Sequence, residues 1–359
     1  MARNGLCKVC GTPKRFAKEH EWLSDGSIVQ RENPEHRMVF IETENISRTF
    51  SGVEDIIDMS IERIIIEAKR RATFDFVDHT LSGLVKTIVR AVGVRPVARS
   101  INRLGLVMGY GAIRIVSLRR IHGKGDFITM SIKEPYSIPL FCGDLAGAFE
   151  AVTRREVAVT YIRKEADEYE VTGHISSHPI ELQDRLRSRK YSHKPGDIAL
   201  EKCPKCGAPI ALSEYVWYLD RGLIEHRERG RRMAMVGPAA LDAIIDDLQE
   251  ELGETIPSVI VEAQRRFIKT GFYGLEAMAP AETLRQQLAL RGFGNLREVE
   301  WLEDRLRIRL ENSCLHPVIV GVMLGVFELA SGGEGKAEWS VSDDGGLVVE
   351  VSSAGSARR

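Results

Sequence analysis

Four of the chain's six cysteines stand in two tight pairs, Cys7-Lys8-Val9-Cys10-Gly11 and Cys203-Pro204-Lys205-Cys206-Gly207. Two thiolates with two residues between them can reach one metal ion, and the glycine after the second lets the backbone turn beneath it. Each pair is half of a tetrahedral site, and neither has another pair near it in sequence. The simplest completion is that Cys7, Cys10, Cys203 and Cys206 meet and close one structural zinc site. The alternatives are two separate sites completed by His20, Asp25 or His226, a thioredoxin-like redox pair, and no metal. A redox pair needs a helix to open at its second cysteine, and Gly11-Thr12-Pro13 and Gly207-Ala208-Pro209 speak against one. The absence of further nearby cysteines favours zinc over an iron–sulfur cluster.

The pairs lie 196 positions apart (203 − 7), and the elements that position them repeat at nearly that offset. Asp25 to Arg31 matches Arg221 to Arg227, a glycine turn leading into a short strand. Apolar residues at Ile46, Phe50, Val53, Ile57, Ile61, Ile64 and Ala68 are matched by Leu241, Ile245, Leu248, Leu252, Ile256, Val259 and Ala263, at a constant offset of 195. That spacing is the stripe of amphipathic helices on a core, with a corner expected near Ser60 and Thr255. Both stripes end alike, in Glu67-Ala68-Lys69-Arg70-Arg71 and Glu262-Ala263-Gln264-Arg265-Arg266, which read first as a solvated, ion-paired helix face. Strands are expected around Asp126 to Lys133 and Arg305 to Glu311, and two alternating strands close each copy.

The expected fold is therefore α+β and internally duplicated: two α/β-layer domains with antiparallel sheets plus a zinc-ribbon-like module. The expected boundaries are 1–36 for the first knuckle and hairpin, 37–172 for the first domain and 173–202 for a polar connector. The second knuckle then takes 203–232, the second domain 233–352 and a disordered tail 353–359. His174, His178 and His193 fall in the connector and read as solvated.

A net charge of −1 supplies no field for nucleic acid, which is disfavoured as a partner. The longest apolar run, Pro317 to Phe327, is too short to span a membrane, and the first residues do not resemble a secretory signal. With paired rather than scattered cysteines, a cytoplasmic protein is expected. No phosphate loop, dinucleotide fingerprint, nucleophile elbow or metalloprotease motif is present, so no catalytic residue is assigned.

Gly109-Tyr110-Gly111, a strand, and Phe141-Cys142-Gly143-Asp144-Leu145-Ala146-Gly147 follow one another in the first copy. Gly292-Phe293-Gly294 and Val320-Gly321-Val322-Met323-Leu324-Gly325 repeat the order. This arrangement resembles the 4-vinyl-reductase-type domain, also described as predicted hydrocarbon-binding. The likeness covers about 100 residues of each copy, and the family's further cysteines in the closing hairpin are replaced here by Ala166 to Tyr169 and Asp344 to Leu347. The resemblance implies helices and a curved sheet around an apolar pocket for a hydrophobic or aromatic small molecule. Tyr110, Phe141, Cys142, Gly143, Gly147, Phe293, Gly321 and Gly325 would line it. Arg70, Arg71 or Arg114, or the counterparts Arg265 and Arg266, would hold a polar end. Read from the residues alone, the glycines at i and i+4 serve tight helix-on-sheet packing before ligand contact. The functional expectation is a non-enzymatic binding or sensor protein with structural zinc. The alternative is a scaffold or accessory subunit that docks a protein partner through the duplicated helical faces.

Overall fold

The computed structural model describes residues 5–80, 102–119, 125–177, 191–273, 280–302 and 304–354. The first cysteine turn leads into α1 (Lys14–Glu19) and the strands β1 (His20–Trp22), β2 (Ile28–Gln30) and β3 (Asn33–Glu42). Helices α2 (Thr43–Ile57) and α3 (Glu62–Thr80) follow. A helical stretch at 102–108 precedes β4 (Ala112–Arg119), β5 (Phe127–Lys133), α4 (Ile138–Thr153), β6 (Val157–Glu165) and β7 (Glu168–Ile175).

The second half runs in the same order, opening with a 3-10 turn at Ile210–Glu214 where the first has α1. Next come β8 (Tyr215–Tyr218), β9 (Leu223–His226), β10 (Arg232–Val236), α5 (Pro238–Leu252) and α6 (Ile256–Lys269). The half closes with α7 (Ala281–Leu290), β11 (Asn295–Trp301), β12 (Arg305–Glu311), α8 (His316–Ser331), β13 (Gly335–Val341) and β14 (Leu347–Ser353).

The apolar stripes form the helices their spacing predicts. Helix α2 buries Ile46 and Val53, and α5 buries Leu241, Ile245 and Leu248. The corners fall where expected, after Asp58 in a left-handed conformation (φ 53°) and after Gly253 (φ 104°). Proline opens α4, α5, α6 and α8, where its missing N–H costs nothing because the first-turn donors have no partner inside the helix.

Three antiparallel sheets result. Two four-stranded sheets share one topology, β4-β5-β7-β6 and β11-β12-β14-β13. Each turns one face to the core, as the alternation along β5 (Ile128, Met130, Ile132) and β12 (Leu306, Ile308, Leu310) requires. The third sheet, β1-β2-β3-β10-β9-β8, takes three strands from each half. Its halves join where β3 meets β10, with Val39 opposite Val236, Phe40 opposite Met235 and Ile41 opposite Ala234. Phe16, Phe40, Tyr215 and Trp217 pack in one aromatic cluster against this seam. Each hairpin turn also docks on the glycine pair of the other half. Gly294 donates its N–H to the carbonyl of Gly26 (3.1 Å), and Gly111 donates to that of Gly222 (2.9 Å).

The polar connector differs from expectation. Strand β7 extends to Ile175 and takes His174 with it, because its alternating residues continue the ladder on β5 and β6. The stretch 191–202 has no regular structure but is tied down. Ile198 donates to Ser24 O (2.8 Å), the Lys194 amide to Asn312 Oδ1 (2.7 Å), and His193 meets Asp25 at 3.0 Å. His178 and the tail beyond Ala354 lie outside the described residues.

Candidate metal centre and ligand cavity

Cys7, Cys10, Cys203 and Cys206 come together, with all four sulfurs within 4.8 Å of one another. Cys7 Sγ lies 3.8 Å from Cys203 Sγ, and Cys10 Sγ lies 3.4 Å from Cys206 Sγ. A tetrahedron with metal–sulfur bonds of about 2.3 Å has sulfur–sulfur edges of about 3.8 Å, so this donor set could hold a metal ion. The two turns are built alike. Cys7 N–H donates to Thr12 O (2.8 Å) and Gly11 N–H to Cys7 O (3.0 Å), while Cys203 donates to Ala208 O (2.7 Å) and Gly207 to Cys203 O (2.9 Å). Gly11 and Gly207 both take φ 75°, the left-handed turn that their place after the second cysteine implied.

Burial pushes all four thiols up. In the first member of each pair, backbone N–H groups aimed at the sulfur outweigh it. Cys7 is lowered by Cys10 and Val9, and Cys203 by Lys205 and Cys206, to about 6. Cys10 stays raised, and Cys206 lies near 12. The residues that separate sites would need are engaged elsewhere. His20 bonds Phe16 O (2.9 Å), Asp25 accepts from Ser27 and pairs with His193, and His226 lies 3.6 Å from Glu214.

The repeated arginine words close on the glycine helices instead of facing solvent. Arg70, 6% exposed, reaches Glu67 on its own helix (3.0 Å) and Glu150 on α4 (2.7 Å). Arg265 makes the same pair of contacts, to Glu262 (3.0 Å) and Glu328 on α8 (2.9 Å). Arg266 pairs with Glu262 (2.7 Å), and Arg114 is exposed on β4. The solvated-face reading therefore fails for Arg70 and Arg265, because a carboxylate from the next helix stands within reach of each.

Glu328 is the most enclosed of these groups. Its side chain is fully buried and accepts from Arg265, Lys269 (3.0 Å) and the Gly335 amide (2.8 Å). Burial raises its pKa, but the Gly335 amide, Arg265 and Lys269 more than offset that and hold the carboxyl below its ordinary 4.5. A depressed carboxylate contributes stability above its unfolded pKa and loses it as pH falls through the folded one. Glu328→Gln should cost about 3 kcal/mol at neutral pH and flatten the acid limb below pH ~4.5. Urea denaturation at pH 7 and pH 4 measures both, and an unchanged acid limb would count against this assignment.

The glycine strips serve packing between helices, where helix-on-sheet packing was expected. A Cβ on Gly143 would sit 2.6 Å from Lys69 Cβ, and one on Gly147 2.1 Å from Arg70 O. On α8, Gly321 faces Gln264 and Gly325 faces Ile268 at 2.6 Å. Cys142 is buried beside this contact and its thiol is pushed up by burial.

A cavity of about 710 Å³ opens between β3, α3, the 102–108 helix, β5 and α4 of the first half, with Tyr191, His193 and the start of α5 completing its wall. Tyr110 and Phe141 line it. Cys142, Gly143, Gly147, Arg70, Arg71, Phe293, Gly321, Gly325, Arg265 and Arg266 lie outside its wall. Most of the wall is apolar, supplied by Met108, Ile128, Met130, Leu145, Phe149 and Val152. Tyr110 stacks on Tyr136 (centroids 4.3 Å apart) and donates its hydroxyl to Met235 O (2.9 Å) in the other half.

A connected polar cluster centres on Asp144 in a wall that also carries Glu35, His36, Arg37, Asp75 and His193. Asp144 takes Lys69 (3.0 Å) and the Thr73 hydroxyl (2.8 Å) on one oxygen and the Tyr136 hydroxyl (2.5 Å) on the other. Nearby, the His36 ring stacks against Phe76 with centroids 4.6 Å apart. Burial first, and then the charges of Lys69 and His20, bring its imidazole down to about 4, so it is neutral at physiological pH.

His36, Thr73 and Tyr136 had no motif to announce them, and Lys69 and Asp144 lay inside repeated words without being singled out. Their signal was the difference between the copies: at the matching offsets the second half carries Arg231, Gln264, Ile268, Cys314 and Val322. There, side chains of the second half pack on one another. Arg231 lies over Phe272 (4.8 Å) and Tyr273 (5.1 Å), and the Tyr273 hydroxyl donates to Glu42 (2.7 Å), which also pairs with Arg291.

No family model matches the chain, and no curated protein matches it. Among solved structures it is similar over about a third of its length to H-NOX domains. A Cs H-NOX mutant carrying 4-cyano-L-phenylalanine is 17% identical over 33% of this chain and 74% of its own, with a TM-score of 0.25. A mutant of the T. tengcongensis H-NOX is 17% identical over 33% of this chain and 75% of its own, with a TM-score of 0.24. A likeness of this size carries no argument about function. Among the described residues, no helix is long and apolar enough to cross a membrane.

Proposed function

We propose that the chain is an internally duplicated, non-enzymatic binding protein that takes a small apolar or aromatic ligand into its first-half cavity. The observation that carries this reading is the cavity itself. Its volume of about 710 Å³, mostly apolar lining and convergent polar cluster are those of a ligand site. Kinship of the halves with 4-vinyl-reductase-type domains belongs to the same proposal. The duplication is supported by the shared element order and by the seam, where Phe40 faces Met235, its own counterpart at an offset of 195 (235 − 40). The four cysteines would hold one structural zinc ion that ties the two hairpins together. The competing reading, a protein-docking face built on the arginine words, loses its Arg70 and Arg265 anchors to ion pairs inside the chain.

Native mass spectrometry of protein purified without detergent tests both parts. The expected spectrum shows one zinc ion per chain and one apolar molecule, retained or added, per chain. Two metal ions per chain would end the shared-site reading, and failure to take up any apolar molecule would end the binding reading.

A further inference from the structure

The cavity's polar cluster has an uneven balance of donors and charge. Asp144 already accepts the Thr73 and Tyr136 hydroxyls and is paired with Lys69. Lys69 turns its ammonium to that carboxylate in an ion pair at 3.0 Å. An ammonium has three donors and no acceptor, so two N–H groups remain on a side chain that is 11% exposed and lines the cavity.

A second cation stands in the same wall. Arg37 is buried and spends its guanidinium on backbone carbonyls of Gly292, Asn312 and Ser313. Carbonyls engage its Nη1 and Nη2 groups without cancelling its charge, its Nε has no hydrogen-bond partner, and no carboxylate pairs with it among the described residues. His193, also in the wall, is matched to Asp25. His36 has no hydrogen-bond partner among the described residues and brings one further N–H. The cavity's other carboxylates, Glu35 and Asp75, are exposed residues of the wall, so the spare donors and the Arg37 charge gather at its buried end.

Resting on the small-molecule reading above, we propose that the ligand is an amphipathic carboxylate, its anionic head on Lys69 and its apolar or aromatic body against α4 and β5. A neutral hydrocarbon would leave the spare Lys69 protons buried and unmet when it expelled the cavity water, a cost that a carboxylate avoids. A charge-assisted bond to Lys69, in a wall that also carries Arg37, favours the acid over an alcohol of the same shape.

The test uses the full-length, metal-loaded protein and three probes: Nile red as a neutral dye, 4-phenylbutyrate, and its alcohol 4-phenylbutanol. The acid should displace Nile red at a concentration at least about ten-fold below that of the alcohol. Lys69→Gln, which installs the residue the second half carries at the matching position, should erase that preference, so that acid and alcohol displace Nile red at similar concentrations. If that variant does not fold, the double substitution Lys69→Gln with Asp144→Val removes both charges and copies the second half's Gln264 and Val322, and it should erase the preference too. Equal displacement by acid and alcohol, or a preference that survives these substitutions, overturns the carboxylate assignment and leaves the binding reading standing. A protein that binds none of the three probes overturns both.

Discussion

Cys7→Ser and Cys203→Ser should each loosen the same metal ion, so that a chelator takes the metal content from one per chain to none. The reason is geometric: each cysteine turn supplies two sulfurs, and the edges that complete the tetrahedron, 3.8 Å from Cys7 to Cys203 and 3.4 Å from Cys10 to Cys206, cross between halves. Either substitution leaves three thiolates and an open fourth position, a weaker site that a chelator should empty, and because both halves supply its ligands neither variant should keep a separate filled site. A structural zinc site of this kind contributes on the order of 10 kcal/mol of apparent binding free energy. Only part of that will appear as lost stability, because the β3–β10 ladder and the aromatic cluster of Phe16, Phe40, Tyr215 and Trp217 still join the halves. A loss of several kcal/mol is expected in denaturant titrations, with the same midpoint shift on chelation of the parent protein. Metal retained at half occupancy in either variant would point to separate sites. Unchanged stability after chelation would remove the metal from the fold's support.

How much of this could be read from the residues depended on range. The helical stripes, their corners and the closing hairpins were legible because they rest on local periodicity and on glycine or proline at fixed places. Pro238 at the start of α5 and Gly253 after it are signals within a single helix length. The cysteine cluster spans 196 positions, yet it was legible too, because two matching Cys-x-x-Cys spacings, each half of a tetrahedral donor set, pointed to one another. The joining of both hairpins into one six-stranded sheet was not. Strand pairing across the seam depends on β3 and β10 finding each other, and nothing local in Val39-Phe40-Ile41 names Ala234, Met235 or Val236 as partners.

The cavity lies away from most of the residues expected to bind a ligand, for a different reason. The glycines at i and i+4 and the arginine words are the most conspicuous repeats, but what is repeated in both copies serves what both copies share, the contact of one helix with the next. Arg70 with Glu150 and Arg265 with Glu328 are the same clamp made twice. A site present in one copy must be sought where the copies disagree. Asp144 against Val322, Tyr136 against Cys314 and Thr73 against Ile268 mark the cavity wall or the residues that support it. Only Tyr110 and Phe141 among the expected ligand residues reach the cavity, and both come from the loop and helix that bound it.

Gly147→Ala should be among the most damaging substitutions in the chain even though it adds a single methyl group. The new Cβ would lie 2.1 Å from Arg70 O and 2.8 Å from Phe74 N, both backbone atoms of α3 that no rotamer change can move. Alanine gains about 1 kcal/mol over glycine inside a helix, but separating two packed helices forfeits more than that. A net loss of about 2–4 kcal/mol is expected by urea denaturation. Gly325→Ala, at the matching place on α8, meets the Ile268 side chain at 2.6 Å and the backbone of Arg265 only at 3.2 Å. Its neighbour can yield in part, and the loss there should be smaller, about 1–2 kcal/mol. Gly332→Ala separates packing from backbone strain, since it takes φ 70° but has nothing within 4 Å of the added atom, so only the left-handed penalty of about 1–2 kcal/mol applies. The contrast has a functional arm. Lys69 and Thr73 on α3 and Asp144 and Leu145 on α4 form facing parts of the cavity wall, so prising these helices apart should weaken Nile red binding as well as stability. Gly325→Ala acts on the second half, outside the cavity wall, and should leave dye binding unchanged. Equal loss of dye binding in both variants would show that the cavity does not depend on the α3–α4 contact.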